Sequence, residues 1–318
     1  MGSPPFAAPV LAALCASPAS DVAALVTRPD KPRGRGLDVV ESPLVLQARE
    51  AGVEVLQPAR ARDPELLERL QGIAPDVIVV ASFGEILLPR LLDLPPRGCV
   101  NVHASLLPRH RGASPIQAAI LAGDEQTGVS IQRMVPALDE GDVLLEERTL
   151  IGAHENAGEL TARLALIGAR AAVRALGMLA EGTARFTPQD STRATYARKI
   201  EKEHGVVDWT KTSTAIERHV RAFTPWPGAR TTTAQGADLV VLDARAHPEA
   251  SGNEQPGTIV ATRPALLVRC GEGALEIRTL KPAGKAAMDA AAWLRGARLD
   301  PGARLGASSP GTKHPGAG

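Results

Sequence analysis

Over residues 1–150, short β-rich runs alternate with helical patterns, and this alternation narrows the folds open to the chain more than any other feature. Asp21–Thr27 (DVAALVT), Val53–Leu56 (VEVL), Asp76–Ala81 (DVIVVA) and Cys99–His103 (CVNVH) read as buried strands. Between the second and third, Asp63 in the N-cap position, Pro64 at N1 and Leu66, Leu67 and Leu70 on one face predict a helix. Strands that alternate with helices pair in parallel, so the expected fold is α/β with a doubly wound, mostly parallel, Rossmann-like sheet. Ligands bind such sheets at the carboxyl ends of the strands. Two more strands, Val129–Val135 and Val143–Arg148, are expected around the turn Leu138-Asp139-Glu140-Gly141-Asp142. A long helix follows over Glu159–Glu181, with Leu160, Leu164, Ile167, Ala171 and Leu179 at helical spacing.

The start of the chain departs from this scheme. It opens at the turn Gly2-Ser3-Pro4-Pro5 and enters a helix near Phe6, with no hydrophobic strand ahead of it. A sheet without an internal strand would leave unpaired edges and an unfilled slot. The first strand therefore reads as missing, and the natural start is expected upstream, with several more residues rich in Val, Ile or Phe. A native N-terminus at Met1 would refute this. Further on, residues 183–205 are polar and read as a linker. A helix near Thr212–Phe223, the rigid Thr224-Pro225-Trp226-Pro227-Gly228 and short strands at Leu239–Leu242, Thr258–Thr262, Leu266–Cys270 and Leu275–Leu280 then predict a small, OB-like β-barrel. The expected organisation is a first domain over 1–182, the linker 183–205, the barrel over 206–306 and a disordered tail over 307–318.

Composition excludes several classes. With 44% hydrophobic and 22% charged residues among 318, the chain can bury enough apolar surface to fold, so it is neither disordered nor fibrous. It has neither an apolar run of membrane-spanning length nor a cationic leader at Met1–Pro5, and a cytoplasmic location is expected. Cys15, Cys99 and Cys270 are far apart and odd in number, which offers no disulfide framework. The seven histidines show no ligand spacing, so no metal is expected. Charge is unevenly spread: residues 1–205 carry 22 basic and 25 acidic side chains, a net of −3, and residues 206–318 carry 14 and 10, a net of +4. Arg278, Lys281, Lys285, Arg295, Arg298 and Arg304 lie close together in that second part, as a polyanion-binding surface would require.

The densest chemical signal is Asn101-Val102-His103-Ala104-Ser105-Leu106-Leu107-Pro108-Arg109-His110-Arg111-Gly112. In a strand, Asn101 and His103 share one face and Val100 and Val102 the other. An amide donor and an imidazole would then stand together where a parallel strand ends. Asp139 lies in a turn that could fold over the same crevice, where its carboxylate would orient His103 and favour the imidazolium. Alone, each segment also fits an ordinary strand end or a turn aspartate bonded to backbone N–H groups.

Together the segments resemble the methionyl-tRNA formyltransferase family from Gly2 to about Gly306. The matching stretches are GSPPFAAPVL, RPDKPRGRG, SFGEILLP, NVHASLLPRHRGASPIQAAILAGD, LDEGD, ATYARKI, VDW, RAFTPWPGA and LKPAGK. The resemblance implies 10-formyltetrahydrofolate as formyl donor and initiator methionyl-tRNA as acceptor, with the enzyme expected as a monomer. It implies that Asn101 and His103 stabilise the tetrahedral intermediate, Asp139 tunes His103, and Ser105, Leu106, Leu107 and Pro108 hold the folate, with Phe83 and Ile86 along its pocket. It also implies that Arg33 and Arg35, in the basic loop Arg28–Gly36, enter the acceptor stem. His110 stands where the family commonly has Trp, and Val135-Pro136-Ala137 replaces a usually acidic approach to Asp139. Other formyl-folate enzymes, a hydrolase or a sugar-nucleotide amine formyltransferase, could use the same trio but need no polyanion contacts. A nicotinamide dehydrogenase lacks support, because no G-x-G-x-x-G follows a strand. A non-catalytic RNA-binding protein would leave the trio unexplained.

Overall fold

The computed structural model describes residues 1–30, 32–33, 38–39, 41–297 and 299–306, which divide into two compact units. In the first, Ala24–Val26 pairs in parallel with Glu54–Leu56, and Ile78–Val80 pairs in parallel with Cys99–His103. The backbone of Met1–Ser3 lies between these pairs. Gly2 N–H donates to Val26 O (2.9 Å), Ala81 N–H donates to Met1 O (2.9 Å), and Gly2 bridges Ala81 in parallel. The slot expected for a first strand thus has backbone in it, and the two edges on either side are paired there.

Beyond Cys99–His103 the sheet turns antiparallel through Gln126–Arg133 and Val143–Leu150. The helix Ala157–Ala180 buries Leu160, Leu164, Ala172 and Leu179. A Cβ added at Gly168 would come within 2.8 Å of Val102, so this helix covers the face opposite Asn101 and His103. The helix Pro64–Ile73 forms as expected, with Leu66 and Leu70 buried. Asp63 does not cap it: its carboxylate turns back to accept the Arg60 N–H at 2.8 Å. Residues 183–199, expected as linker, belong to the first unit. Thr187 pairs with Val143 there, and Tyr196–Ala197 pairs in parallel with Arg111–Gly112.

The second unit begins its main run at Ile200. Thr212 caps the helix Ser213–Phe223 by accepting from the Ala215 N–H at 3.2 Å. The sheet runs Ala229–Thr232, Asp238–His247, Ala274–Pro282, Leu266–Arg269, Ile259–Ala261. The first of these strands falls in a Thr-rich stretch without alternating apolar residues and escapes sequence reading. Residues 302–306 close the sheet on itself: Ile259 N–H donates to Ala303 O and Gly306 N–H to Thr232 O, both at 2.8 Å. Inside lie Trp209, Val220, Val241, Ile259, Leu275 and Leu280.

His219 sits half-buried on the helix Ser213–Phe223, its Nε2–H donating to Gly205 O at 3.3 Å and its ring edge-on to Phe223. Burial lowers its pKa below the ordinary 6.5, against the smaller opposing pull of the Gly205 bond and Asp208. The unfolded chain then binds this proton more readily, so stability is full above pH 6.5 and falls as pH drops through the window below it. The expected result is a loss of urea resistance between pH 7.5 and 5 that is smaller in His219→Gln. An equal loss in both proteins would assign the pH dependence to other groups.

Candidate active site

The strand Cys99–His103 carries Asn101 and His103 on one face, and the antiparallel register sets Gln132 opposite Asn101 and Ser130 opposite His103. Four polar side chains therefore share one patch at the end of the sheet. His103 is 5% exposed, Gln132 1% and Ser130 fully buried. The two residues from the strand Gln126–Arg133 went unrecognised in the sequence, where each reads as one polar residue in an alternating strand. Only the pairing register puts them beside Asn101 and His103.

Asp139 joins this patch from its turn. Its Oδ1 accepts from Gln132 Nε2 at 2.7 Å and from Asn101 Nδ2 at 3.4 Å, and lies 3.6 Å from His103 Nδ1. Its Oδ2 accepts the Gly112 N–H at 2.8 Å. The backbone of Asp139 is left-handed (φ +54°), a conformation costly for most residues other than Gly but tolerated by Asp and Asn. Gly141 allows the turn to close, because a Cβ there would collide with the Arg133 carbonyl oxygen.

His103 is oriented from its other nitrogen. Nε2 lies 3.0 Å from the His110 carbonyl, which can only accept, so Nε2 carries hydrogen and Nδ1 faces Asp139. The carbonyl that meets His103 is a backbone group, which any residue at position 110 would carry. Next to this, Ser130 Oγ donates to Ser105 O (2.8 Å) and accepts from the Leu107 N–H (3.0 Å), fastening the segment Ser105–Pro108 to the sheet. Ser105 Oγ donates to Arg109 O at 2.6 Å, so its hydroxyl serves the turn.

Phe83 is buried with Val80, Leu87 and Leu91, and Ile86 is largely exposed. Arg33 is described only as backbone, in the strand Pro32–Arg33 paired with Asp38–Val39, and its side chain and Arg35 lie outside the described residues. Burial pushes the Cys99 and Cys270 thiols up to about 12, so neither supplies a thiolate at neutral pH. Among the described residues no group of three or more His, Cys, Asp or Glu could hold a metal ion, and no helix is long and apolar enough to cross a membrane.

Residues 1–176 match the Formyl transferase family model, and residues 199–298 match the model of the Formyl transferase C-terminal domain. A methionyl-tRNA formyltransferase of Methylobacterium sp. (strain 4-46) is 45% identical over 308 residues, covering 96% of this chain and 97% of the relative. One from Myxococcus xanthus is 46% identical over 305 residues, covering 96% of each. The chain belongs to the methionyl-tRNA formyltransferase family. Members are formyl-transferring enzymes that use 10-formyltetrahydrofolate. Among solved structures, an N-formyltransferase from Helicobacter canadensis, in complex with folinic acid and dTDP-3-aminofucose, shares the fold (TM-score 0.63, 16% identity, 87% of this chain and 96% of that one). HypX from Aquifex aeolicus with tetrahydrofolic acid is also similar in fold (TM-score 0.55, 20% identity), covering 77% of this chain and 43% of that longer one. The family placement thus rests on the full-length relatives, and the solved structures speak for the fold alone.

Proposed function

We propose that this chain transfers the formyl group of 10-formyltetrahydrofolate to the amino group of methionine on initiator tRNA, with Asn101, His103 and Asp139 as the reacting constellation. The observation that carries the assignment is the convergence of Asn101 Nδ2 and His103 Nδ1 on one oxygen of Asp139, at 3.4 and 3.6 Å. The attacking group is an α-amine, which titrates near 8 in model peptides, so it needs little activation. The demanding steps are charge development on the formyl oxygen and delivery of a proton to the departing nitrogen. The Asn101 amide carries two hydrogens and its contact with Asp139 occupies one, leaving the other for an oxyanion. His103, fixed through Nε2 and facing Asp139 through Nδ1, can hold and pass a proton on that side.

Ser105, Leu106, Leu107 and Pro108 are proposed to hold the folate, and Ser130 supports that role because it bonds the segment at two backbone atoms. Ser130→Ala would leave the Leu107 N–H and Ser105 carbonyl without this partner, at about 1 kcal/mol or more. The expected result is a roughly fivefold rise in the KM for the folate with kcat within about twofold. An unchanged folate KM would remove the segment from the folate site.

The barrel and the basic loop are proposed to hold the tRNA. In the second unit Lys281 and Lys285 are exposed, whereas Arg278 lies 3.8 Å from Asp243 and Arg304 is bonded to Gln255. Arg35→Ala is expected to raise the KM for the charged tRNA and to lower the slope of log KM against log salt by about 1, leaving the folate KM unchanged. A slope equal to that of the parent would take Arg35 out of the phosphate contacts.

The acceptor is tested by offering 10-formyltetrahydrofolate with either charged initiator tRNA or a dTDP-amino sugar and following formyl-acceptor formation. Formylation of the tRNA alone supports the proposal. Formylation of the sugar alone would assign the chain to the sugar-modifying enzymes that share its fold.

A further inference from the structure

The turn that carries Asp139 is held from a direction its own sequence does not reveal. Gln189 Nε2 donates to Asp139 O (2.8 Å) and Gly141 O (2.7 Å), and lies 3.4 Å from Gln132 Oε1. Its Oε1 accepts two bonds from the Arg111 fork, Nε at 3.0 Å and Nη2 at 2.9 Å. Arginine only donates and the two carbonyls only accept, so this amide has one permitted orientation. The third Arg111 nitrogen, Nη1, meets Glu140 Oε1 at 3.1 Å, an oxygen that also accepts from Tyr196 OH at 3.3 Å. Arg111 is 2% exposed, so its guanidinium charge is buried, and it meets the carboxylate of Glu140. Burying a charge costs several kcal/mol unless its donors are matched, and here Nε, Nη1 and Nη2 all point toward the Asp139 turn or the residue that grips it.

The grip is anchored at both ends. Val143 and Thr187 exchange backbone bonds at 2.9 and 2.8 Å, fixing the chain two residues before Gln189. Arg111 N–H donates to Thr195 O at 2.9 Å, fixing the base of the arginine. The segment 187–195 therefore reaches across the turn and holds the Asp139 backbone in its left-handed conformation (φ +54°), with the carboxylate on Gln132, Asn101 and the Gly112 N–H.

Resting on the assignment of Asp139 above, we propose that Gln189 and Arg111 are positioning residues for formyl transfer: they hold the Asp139 carboxylate against His103 and Asn101 and touch no substrate themselves. Gln189→Leu removes both donations and the acceptor for Arg111. Gln189→Glu keeps the acceptor and loses the donations, so it separates the grip on the turn from the support of a buried cation. Both are expected to lower kcat about tenfold, since small misplacement of a reacting group has effects of this order, with the KM for each substrate unchanged. Arg111→Lys, which keeps the charge and loses the fork, is expected to retain more activity than Arg111→Met.

The deciding experiment is a double-mutant cycle in the full-length protein, with folding followed by thermal unfolding. In an Asp139→Ala background, Gln189→Leu is expected to lower kcat no further, because the group it positions is gone. Three results would overturn the proposal: a Gln189→Glu enzyme with parental kcat, a Gln189→Leu effect that multiplies with Asp139→Ala, or a fall in kcat matched by a rise in both KM values. An Asp139→Ala enzyme as active as the parent would overturn it too, and would also withdraw Asp139 from the reacting set. That last outcome separates failure of the underlying reading from failure of this inference.

Discussion

Replacing Asn101 or His103 by alanine is expected to lower kcat by about a hundredfold or more, because removal of one oxyanion donor typically costs about 2.7–4 kcal/mol of barrier. Both side chains stand on one face of Cys99–His103, and the backbone of that strand is bonded on both sides, to Ile78–Val80 and to Gln126–Arg133. Truncation therefore leaves the strand in place. His103→Ala frees one backbone carbonyl at His110, and Asn101→Ala gives up only a long 3.4 Å contact to Asp139. The folate KM should stay within about threefold in both, as uniform binding is untouched. Steady-state kinetics with circular dichroism checks this. A variant within about fivefold of parental kcat would be removed from the reacting set.

Asp139→Asn is expected to cost as much in kcat and more in stability. The carboxylate accepts on both oxygens, from Gln132 and Asn101 on one and from the Gly112 N–H on the other. An asparagine amide must present its NH2 group to one of these sets, so a donor meets a donor in either orientation. Leaving a buried donor unpaired costs about 1–3 kcal/mol. The expected result is a lowered Tm together with a kcat down by about two orders of magnitude, since the carboxylate facing His103 is lost. Parental Tm with parental kcat would show that neither the charge nor the double acceptance matters.

The parts of this fold that rest on local pattern were legible in the sequence. Cys99–His103 forms the strand its alternation predicts, and Asn101 and His103 share a face because a strand's side-chain period is two. The helix Pro64–Ile73 follows from its Pro at N1 and its leucine spacing. What stayed hidden depends on partners distant in sequence. Gln132 reaches the site only through the antiparallel register with Asn101, and no local rule sets a register. Gln189 lies in a polar stretch without periodicity, the ordinary mark of a linker, and its contacts with Arg111 and the Asp139 turn are 78 and 50 residues away. Phe83 packs with Val80, Leu87 and Leu91, residues that its own local sequence does not single out as partners. The strand Ala229–Thr232 owes its pairing to Asp238–His247 and to no apolar pattern of its own.

Formyl transfer to methionyl-tRNA is proposed to take place at Asn101, His103 and Asp139. It is tested most directly by measuring tetrahydrofolate release from 10-formyltetrahydrofolate with charged initiator tRNA, with uncharged tRNA and with none. Release is expected only with the charged tRNA, matched mole for mole by formyl-methionine and reduced about a hundredfold in His103→Ala. Equal release without tRNA would make the chain a hydrolase, and undiminished release in His103→Ala would contradict the site itself.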